Sequence, residues 1–362
     1  MNSRGTIRLA TRGSDLAIRQ ASTVREALAE RHFEVELVEV ETEGDRLTDE
    51  LIANLGKTGA FVRSLDEKVL DGDVDAAVHS MKDMPTEMPD ELVVAGVPER
   101  APAGDVLVTP DGAGLSDLEP GATVGTSSMR RGAQVRNQRD DLTVEPLRGN
   151  VDTRIEKVLA PALQREHERR TEADRERKGN AGDDSFEPEY DETVDEWFDG
   201  LREIERRALG REVETEYDAI VLAEAGLRRS GLVHHVNYQR LPIGDFVPAA
   251  GQGALAVTAR DGETAETLHA VLDHPRTRVE TTVERTVLAG LNGGCIAPIG
   301  VHAVLQGEFV RTTAQVLHPD GHDVVQQRRD IPAETHADAA REFAADLQDA
   351  GAADHVAAAR ER

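Results

Sequence analysis

Apolar positions along the chain change spacing many times, and each change marks an element. Thr6–Ala10 reads as a strand, and Ser14 as the N-cap of a helix carrying Leu16, Ile18 and Val24. Val35–Val40 alternates as a strand does, while Phe61–Leu70 is amphipathic and stops at Gly72. Val74–Val78 and Leu92–Val97 are short β-type runs. Strands separated by helices predict a parallel or mixed sheet. The pattern then restarts: Asp105–Val108, Thr123–Gly125, Thr143–Leu147 and Tyr217–Ala223 read as strands, with helices after Ser128 and after Asp152. From Pro275 the texture changes again, to a long helix over 275–291 and strand-like runs at 301–305, 308–317 and 323–331. HPDG at 318–321 predicts a hairpin turn, and an Ala-rich helix is expected over 333–349. The reading is two α/β units followed by a smaller α+β unit.

Residues 160–215 break this rhythm, being dense in charge and poor in apolar positions. Two helices with i,i+4 charge pairs around a polar loop are compatible with them. Composition favours a solvated surface insertion, in part disordered, over a partner site built on Trp197 and Phe198.

Charge narrows the function classes. Sixty-nine acidic residues against 42 basic ones give a formal net charge of −27 over 362 residues, which disfavours non-specific binding to nucleic acid or anionic membranes. Lysine occurs only at 57, 68, 82, 157 and 178; the other basic residues are arginine. Abundant carboxylates with scarce lysine suit a salt-rich cytoplasm such as that of a halophilic archaeon, where screening relieves self-repulsion. Thermal stability is therefore expected to fall at low salt; a melting temperature indifferent to salt would rule this reading out. The N-terminal stretch has no apolar signal core, no run reaches a membrane span, and a lone cysteine, Cys295, forms no internal disulfide. A soluble cytoplasmic protein is expected.

Arginine gathers at particular places despite the acidic balance. Arg12 follows a strand and precedes the Ser14 cap; Arg130 and Arg131 stand in GTSSMRR, where a strand meets a helix; Arg148 and Arg154 flank RGNVDTR, another such junction. Strand ends and helix N-termini form ligand crevices that favour anions, and arginine forks bind carboxylates. Any one of these arginines could equally pair with a surface carboxylate. HSMKDMP (79–85) places Lys82 beside Asp83 at a strand end. A carboxylate there can hold a substrate N–H, move protons and stabilise a developing cation, although most such pairs are solvated turn residues. NGGCIAPIG (292–300) carries the thiol in a glycine-flanked loop with no base nearby. A buried small hydrophobe is the usual fate of a lone cysteine. PAAGQGALAV (248–257) reads as a hinge-like loop before a strand. No dinucleotide or phosphate-cradling glycine motif occurs, and His234-His235 and His318/His322 lack metal-ligand context, so no metal is expected.

Taken in order, IRLATRGSDLAIRQ, GAFVRSL, DAAVHSMKDMP, VGTSSMRR, LRGNVDTR, YDAIVLAEAGLRR, PAAGQGAL and NGGCIAPIG resemble the porphobilinogen deaminases from residue 7 to residue 300. The resemblance implies two type II periplasmic-binding-like lobes around a cleft plus a small α+β C-terminal domain. Domain 1 would comprise 1–100 and 252–274, domain 2 would be 101–251, and domain 3 would be 275–362. It implies a dipyrromethane cofactor in thioether linkage to Cys295, to which four porphobilinogen units are added with loss of ammonia before hydrolysis releases hydroxymethylbilane. Asp83 matches the family's catalytic aspartate. Lys82, Ser80, Ser128, Arg130, Arg131 and Arg154 match cofactor-binding positions, and Arg12, Ser14, Gln20, Phe61, Arg148 and Arg229 match substrate-binding ones. A monomer acting on a small molecule is expected.

Three features depart from the family pattern. GKTGAF displaces the usual lysine and brings Thr58 and Ser64 in, Gly104 stands where arginine is common, and 160–215 replaces a short connection. The competing readings are a non-catalytic two-lobed binder of an anionic small molecule, and an interaction protein acting through the insertion. Asp83 and Cys295 together argue against the first, since a passive binder needs neither, and the second has only Trp197 and Phe198 in its favour.

Overall fold

The computed structural model describes residues 5–40, 60–180, 185–294 and 297–361, with the backbone alone at 60–63. Cys295, Lys57, Thr58 and the side chain of Phe61 therefore lie outside the described residues.

The first unit is built from β1 (Thr6–Arg12), α1 (Asp15–Ala29), β2 (Glu34–Val40), α2 (Ala60–Leu70), β3 (Ala76–Ser80) and β4 (Leu92–Gly96). The chain then passes into a second unit. It contains β5 (Asp105–Val108), β6 (Thr123–Gly125), α3 (Met129–Gln138), β7 (Thr143–Glu145), α4 (Val151–Gly179), α5 (Val194–Gly200), α6 (Glu203–Leu209), β8 (Ala219–Ala223), α7 (Glu224–Arg229) and β9 (Tyr238–Arg240). It returns to the first unit as β10 (Leu255–Arg260) and α8 (Glu263–Leu272). The remainder is α9 (Pro275–Gly290), β11 (Ile299–Gln306), β12 (Phe309–Leu317), β13 (Val324–Pro332), α10 (His336–Leu347) and α11 (Ala353–Arg360).

Both large sheets have one plan. The first runs β2-β1-β3-β10-β4 and the second β7-β6-β8-β5-β9. In each, the fourth strand is the one that has just crossed from the other unit, and it pairs antiparallel with both neighbours. The sheets are thus mixed, and the molecule is two α/β lobes joined by two crossing segments, as the resemblance implied. Both faces of each sheet are covered, which explains runs such as DVLV and AIVLA with no polar alternation. In the first lobe Leu9, Val78 and Val257 pack against α1 and α8, while Ala10 and Ala77 face Leu65 and Val69 of α2. The third unit is an antiparallel β11-β12-β13 sheet whose apolar face packs Val301 and Val310 against Val287 of α9 and Phe343 of α10.

The crossing segments press closely on each other. Ala101 N donates to the Gly253 carbonyl at 3.2 Å. Gly253 has φ 88°, and a Cβ on it would lie 2.4 Å from the Ala101 carbonyl oxygen. Only glycine meets both demands.

Two expectations change. The strand at 143–147 closes after Glu145. The closing helix begins at His336 and is interrupted at Gly351, where φ is 101°, before α11 continues. The larger correction concerns 160–215. α4 runs unbroken from Val151 to Gly179, and Ile204 and Ala208 of α6 are buried with Ile155 and Val158. Composition hid this i,i+4 apolar pair among charges. Among the described residues of the rest of the segment, the chain packs on itself: the Arg170 guanidinium carbon lies 4.3 Å from the Tyr190 ring centroid and 5.3 Å from that of Trp197. Ile204→Ala is expected to destabilise the fold by about 2–4 kcal/mol through lost burial and a cavity. Chemical unfolding checks this; a change within 0.5 kcal/mol, roughly the size of surface substitutions, would mean that α6 is superficial.

Candidate active site

Parallel strands direct their C-terminal ends at the space between the lobes, and the polar residues singled out above stand at or just beyond those ends. Arg12 ends β1, and just beyond it stands Ser14, whose Oγ accepts from Ala17 N at 3.4 Å and caps α1. Ser80 ends β3 and leads into a single 3₁₀ turn, Met81–Asp83. Met81 and Met84 are buried on either side while Asp83 is exposed to the cleft. This split explains why one short turn carries both anchor and functional group. Beyond β6, Ser128 Oγ accepts from Arg131 N at 3.4 Å and caps α3. Arg229 lies on α7 beyond β8, where Nη2 donates to the Gly253 carbonyl at 2.7 Å.

A cavity of about 170 Å³ brings Arg12, Ser14, Gln20, Ser80, Lys82, Asp83 and Arg229 together from both lobes, with Gln252 and Gly253 of the crossing segment. Ser128, Arg130, Arg131 and Arg154 do not line it. Arg154 is half-buried at the start of α4, its Nε donating to the Gly149 carbonyl at 2.7 Å. Arg148 is exposed on the loop after β7.

Arg130 and Arg131 are 4% and 6% exposed, so these two are not surface arginines. Both meet one carboxylate, Asp105, the first residue of β5. Arg130 Nη1 lies 2.8 Å from Oδ2, and Arg131 Nη2 lies 2.8 Å from Oδ1. Arg130 also donates to Gln134 Oε1 at 2.8 Å and to the Val247 carbonyl at 2.9 Å. Gln252 Nε2 donates to Asp105 Oδ1 at 2.9 Å and to the Ala103 carbonyl at 2.6 Å, so the crossing segment closes the cluster. Asp105 and Gln252 escaped sequence reasoning. Asp105 reads as the start of a strand, and Gln252 sits among glycines whose signal is conformational.

The electrostatics extend across the cleft. Burial pushes the Asp105 carboxyl up, but Arg130 and Arg131 outweigh it and hold the group well below the usual carboxylate range. Burial pushes Lys82 below its ordinary value; Asp83 opposes this, and Arg131 and Arg130 add to it. Arg154 is pushed down to about 10, by burial first and then by Arg131. Four cations thus share a small region with the carboxylates of Asp83 and Asp105, and their repulsion is one that bound anions would relieve.

A family model described as porphobilinogen deaminase, dipyromethane cofactor binding domain, matches residues 7–165 and 203–267, and one for the porphobilinogen deaminase C-terminal domain matches 279–349. The chain belongs to the porphobilinogen deaminase family. The probable porphobilinogen deaminase of Halobacterium salinarum is 55% identical over 98% of both chains. That of Methanococcoides burtonii is 38% identical over 91% of this chain and 89% of its own. The porphobilinogen deaminase of Rubrobacter xylanophilus is 37% identical over 96% of each. The family model passes over 166–202 and resumes at 203, where α6 begins. The part of the chain outside the family pattern is therefore narrower than composition suggested.

The family's cofactor is dipyrromethane, and the donor set suits it. Two pyrroles carry four carboxylates between them, and mutually repelling, partly desolvated cations are a matched environment for such a group. Among the described residues no helix is long and apolar enough to cross a membrane, and no group of His, Cys, Asp and Glu side chains could hold a metal.

Proposed function

We propose that the protein deaminates porphobilinogen and joins four molecules head to tail on a dipyrromethane primer covalently held by Cys295, releasing hydroxymethylbilane by hydrolysis. One observation carries the reading: Asp83 and a field of cations face one cavity between two lobes of an otherwise strongly acidic chain. A passive binder of anions needs the cations but no carboxylate among them.

Lys82, Ser80, Ser128, Arg130, Arg131 and Arg154 would hold the cofactor, and Arg12, Ser14, Gln20, Phe61, Arg148 and Arg229 the incoming substrate. When bound, the primer supplies a free pyrrole α-carbon as nucleophile. Asp83 accepts hydrogen bonds from pyrrole N–H groups and stabilises the positive charge that develops as ammonia leaves porphobilinogen. The arginines offset the two carboxylates that each added unit brings, and arginine, always charged and forked, suits this better than lysine. Screening in a salt-rich cytoplasm weakens exposed contacts first, so the enclosed Arg229 and Arg131 carry more of the affinity than the exposed Arg148. The same reading has the chain act as a cytoplasmic monomer.

The test is the intact mass of the purified chain. The expected excess is two porphobilinogens less two ammonias, located on the Cys295 peptide. An unmodified chain that gains no such mass on incubation with porphobilinogen would leave the non-catalytic binder as the better reading.

A further inference from the structure

We propose that Arg285 is a positioning residue for Asp83, holding the catalytic turn from the third domain. This rests on the function proposed above. Arg285 lies on α9 and reaches out of its own domain. Its Nη1 donates to the carbonyls of Met81 at 3.2 Å and Met84 at 3.3 Å, and its Nη2 donates to the Pro85 carbonyl at 2.5 Å. Met81 opens the turn that carries Lys82 and Asp83, and Met84 and Pro85 follow directly after it, so the acceptors bracket Asp83. A guanidinium presents its donors in a fixed plane, so it orients several carbonyls at once. Charge-assisted bonds to these peptide groups fix the direction in which the turn presents the carboxylate between them.

The neighbouring residue keeps the clamp in register. Glu284 is fully buried, accepting from Gly251 N at 2.7 Å and Ala303 N at 2.8 Å and pairing with Arg100 at 2.8 Å. α9 therefore cannot rotate or slide without breaking contacts to the crossing segment and to its own sheet. Five residues beyond Arg285 the same helix ends at Gly290, about 8 Å further along the axis at 1.5 Å per residue. The segment bearing Cys295 follows at once in the sequence. One helix thus grips the catalytic turn, and the chain that leaves it carries Cys295. Arg285 touches neither substrate nor primer in this account; it acts through Asp83.

The test uses holoenzyme of Arg285→Met and Arg285→Lys, loaded with porphobilinogen and verified by intact mass. For Arg285→Met the expected result is a kcat about 30-fold lower with KM within about twofold, because a small misplacement of a catalytic group is costly while the substrate-binding cations are untouched. Arg285→Lys should recover part of the loss through its single ammonium. Ile204→Ala, destabilised far from the site, should keep wild-type kcat below its melting temperature. A loaded Arg285→Met enzyme with wild-type kcat would overturn the proposal, as would a loss matched by its unfolded fraction or residing in KM. A folded variant that cannot be loaded would also overturn it, assigning Arg285 to primer assembly. If the wild-type chain forms no hydroxymethylbilane, the function reading fails and this proposal with it. An active wild type beside an equally active Arg285→Met removes this proposal alone.

Discussion

Asp83→Ala should lower kcat for porphobilinogen consumption by about 10³-fold, the scale on which removal of one preorganised charge stabiliser is felt in an enclosed site. The structure gives reasons to expect this with little loss of stability. Asp83 projects into the cleft, whereas the turn beneath it is held by the buried Met81 and Met84 and by backbone bonds such as Met81 N to the Ala254 carbonyl at 3.1 Å. Removing the carboxylate also leaves Lys82 with one fewer anion nearby. Affinity for an anionic substrate should therefore hold or rise while turnover collapses. Steady-state kinetics with a parallel thermal melt decides the matter. Near-normal kcat would remove Asp83 from the chemistry, and a melt lowered as far as that of Ile204→Ala would show it to be structural.

Sequence reasoning reached most of the elements because each rests on a local signal. Ser14 caps its helix as read, and Ser128 caps the helix expected after it, since a serine at a strand-to-helix junction satisfies orphan N–H groups whatever surrounds it. What escaped depends on partners remote in the chain. β9 is three residues with no apolar alternation, paired to β5 by backbone alone. The antiparallel entry of β10 follows from crossing between lobes, which periodicity does not encode. In α8 the spacing of Ala265, Leu268 and Leu272 was available but short, and the surrounding acidic residues masked it.

At the site, residue types were legible and pairings were not. Arg130 and Arg131 admitted two readings, cleft cations or partners of a carboxylate. The structure shows the pairing, with a buried carboxylate 25 and 26 residues away in the chain, and the electrostatic link to Lys82 shows that pairing does not remove them from the cleft's field. One anion against two guanidiniums leaves an excess of positive charge. Arg285 was invisible because its role lies in three backbone carbonyls of another domain.

Asp105→Asn should be the most destabilising single substitution in the site. The Asp105 side chain is fully buried and shared by both arginines. Neutralising it leaves two guanidiniums beside each other with no counter-ion, and removal of one partner from such a pair costs about 3–5 kcal/mol. The cost exceeds that of an ordinary lost hydrogen bond because the amide can replace bonds but not charge. The pH dependence has a definite sign. The folded-state pKa of Asp105 is depressed, so its stabilisation is present above the ordinary carboxylate value near 4 and is lost as pH falls toward the folded value. The stability gap between wild type and Asp105→Asn should be full at pH 7 and narrow steadily once the pH drops below about 4. Urea unfolding across that range at constant high salt measures it. A gap that is absent at neutral pH, or that widens in acid, would show that something other than Asp105 neutralises the two arginines, and with it the excess charge available to the cleft.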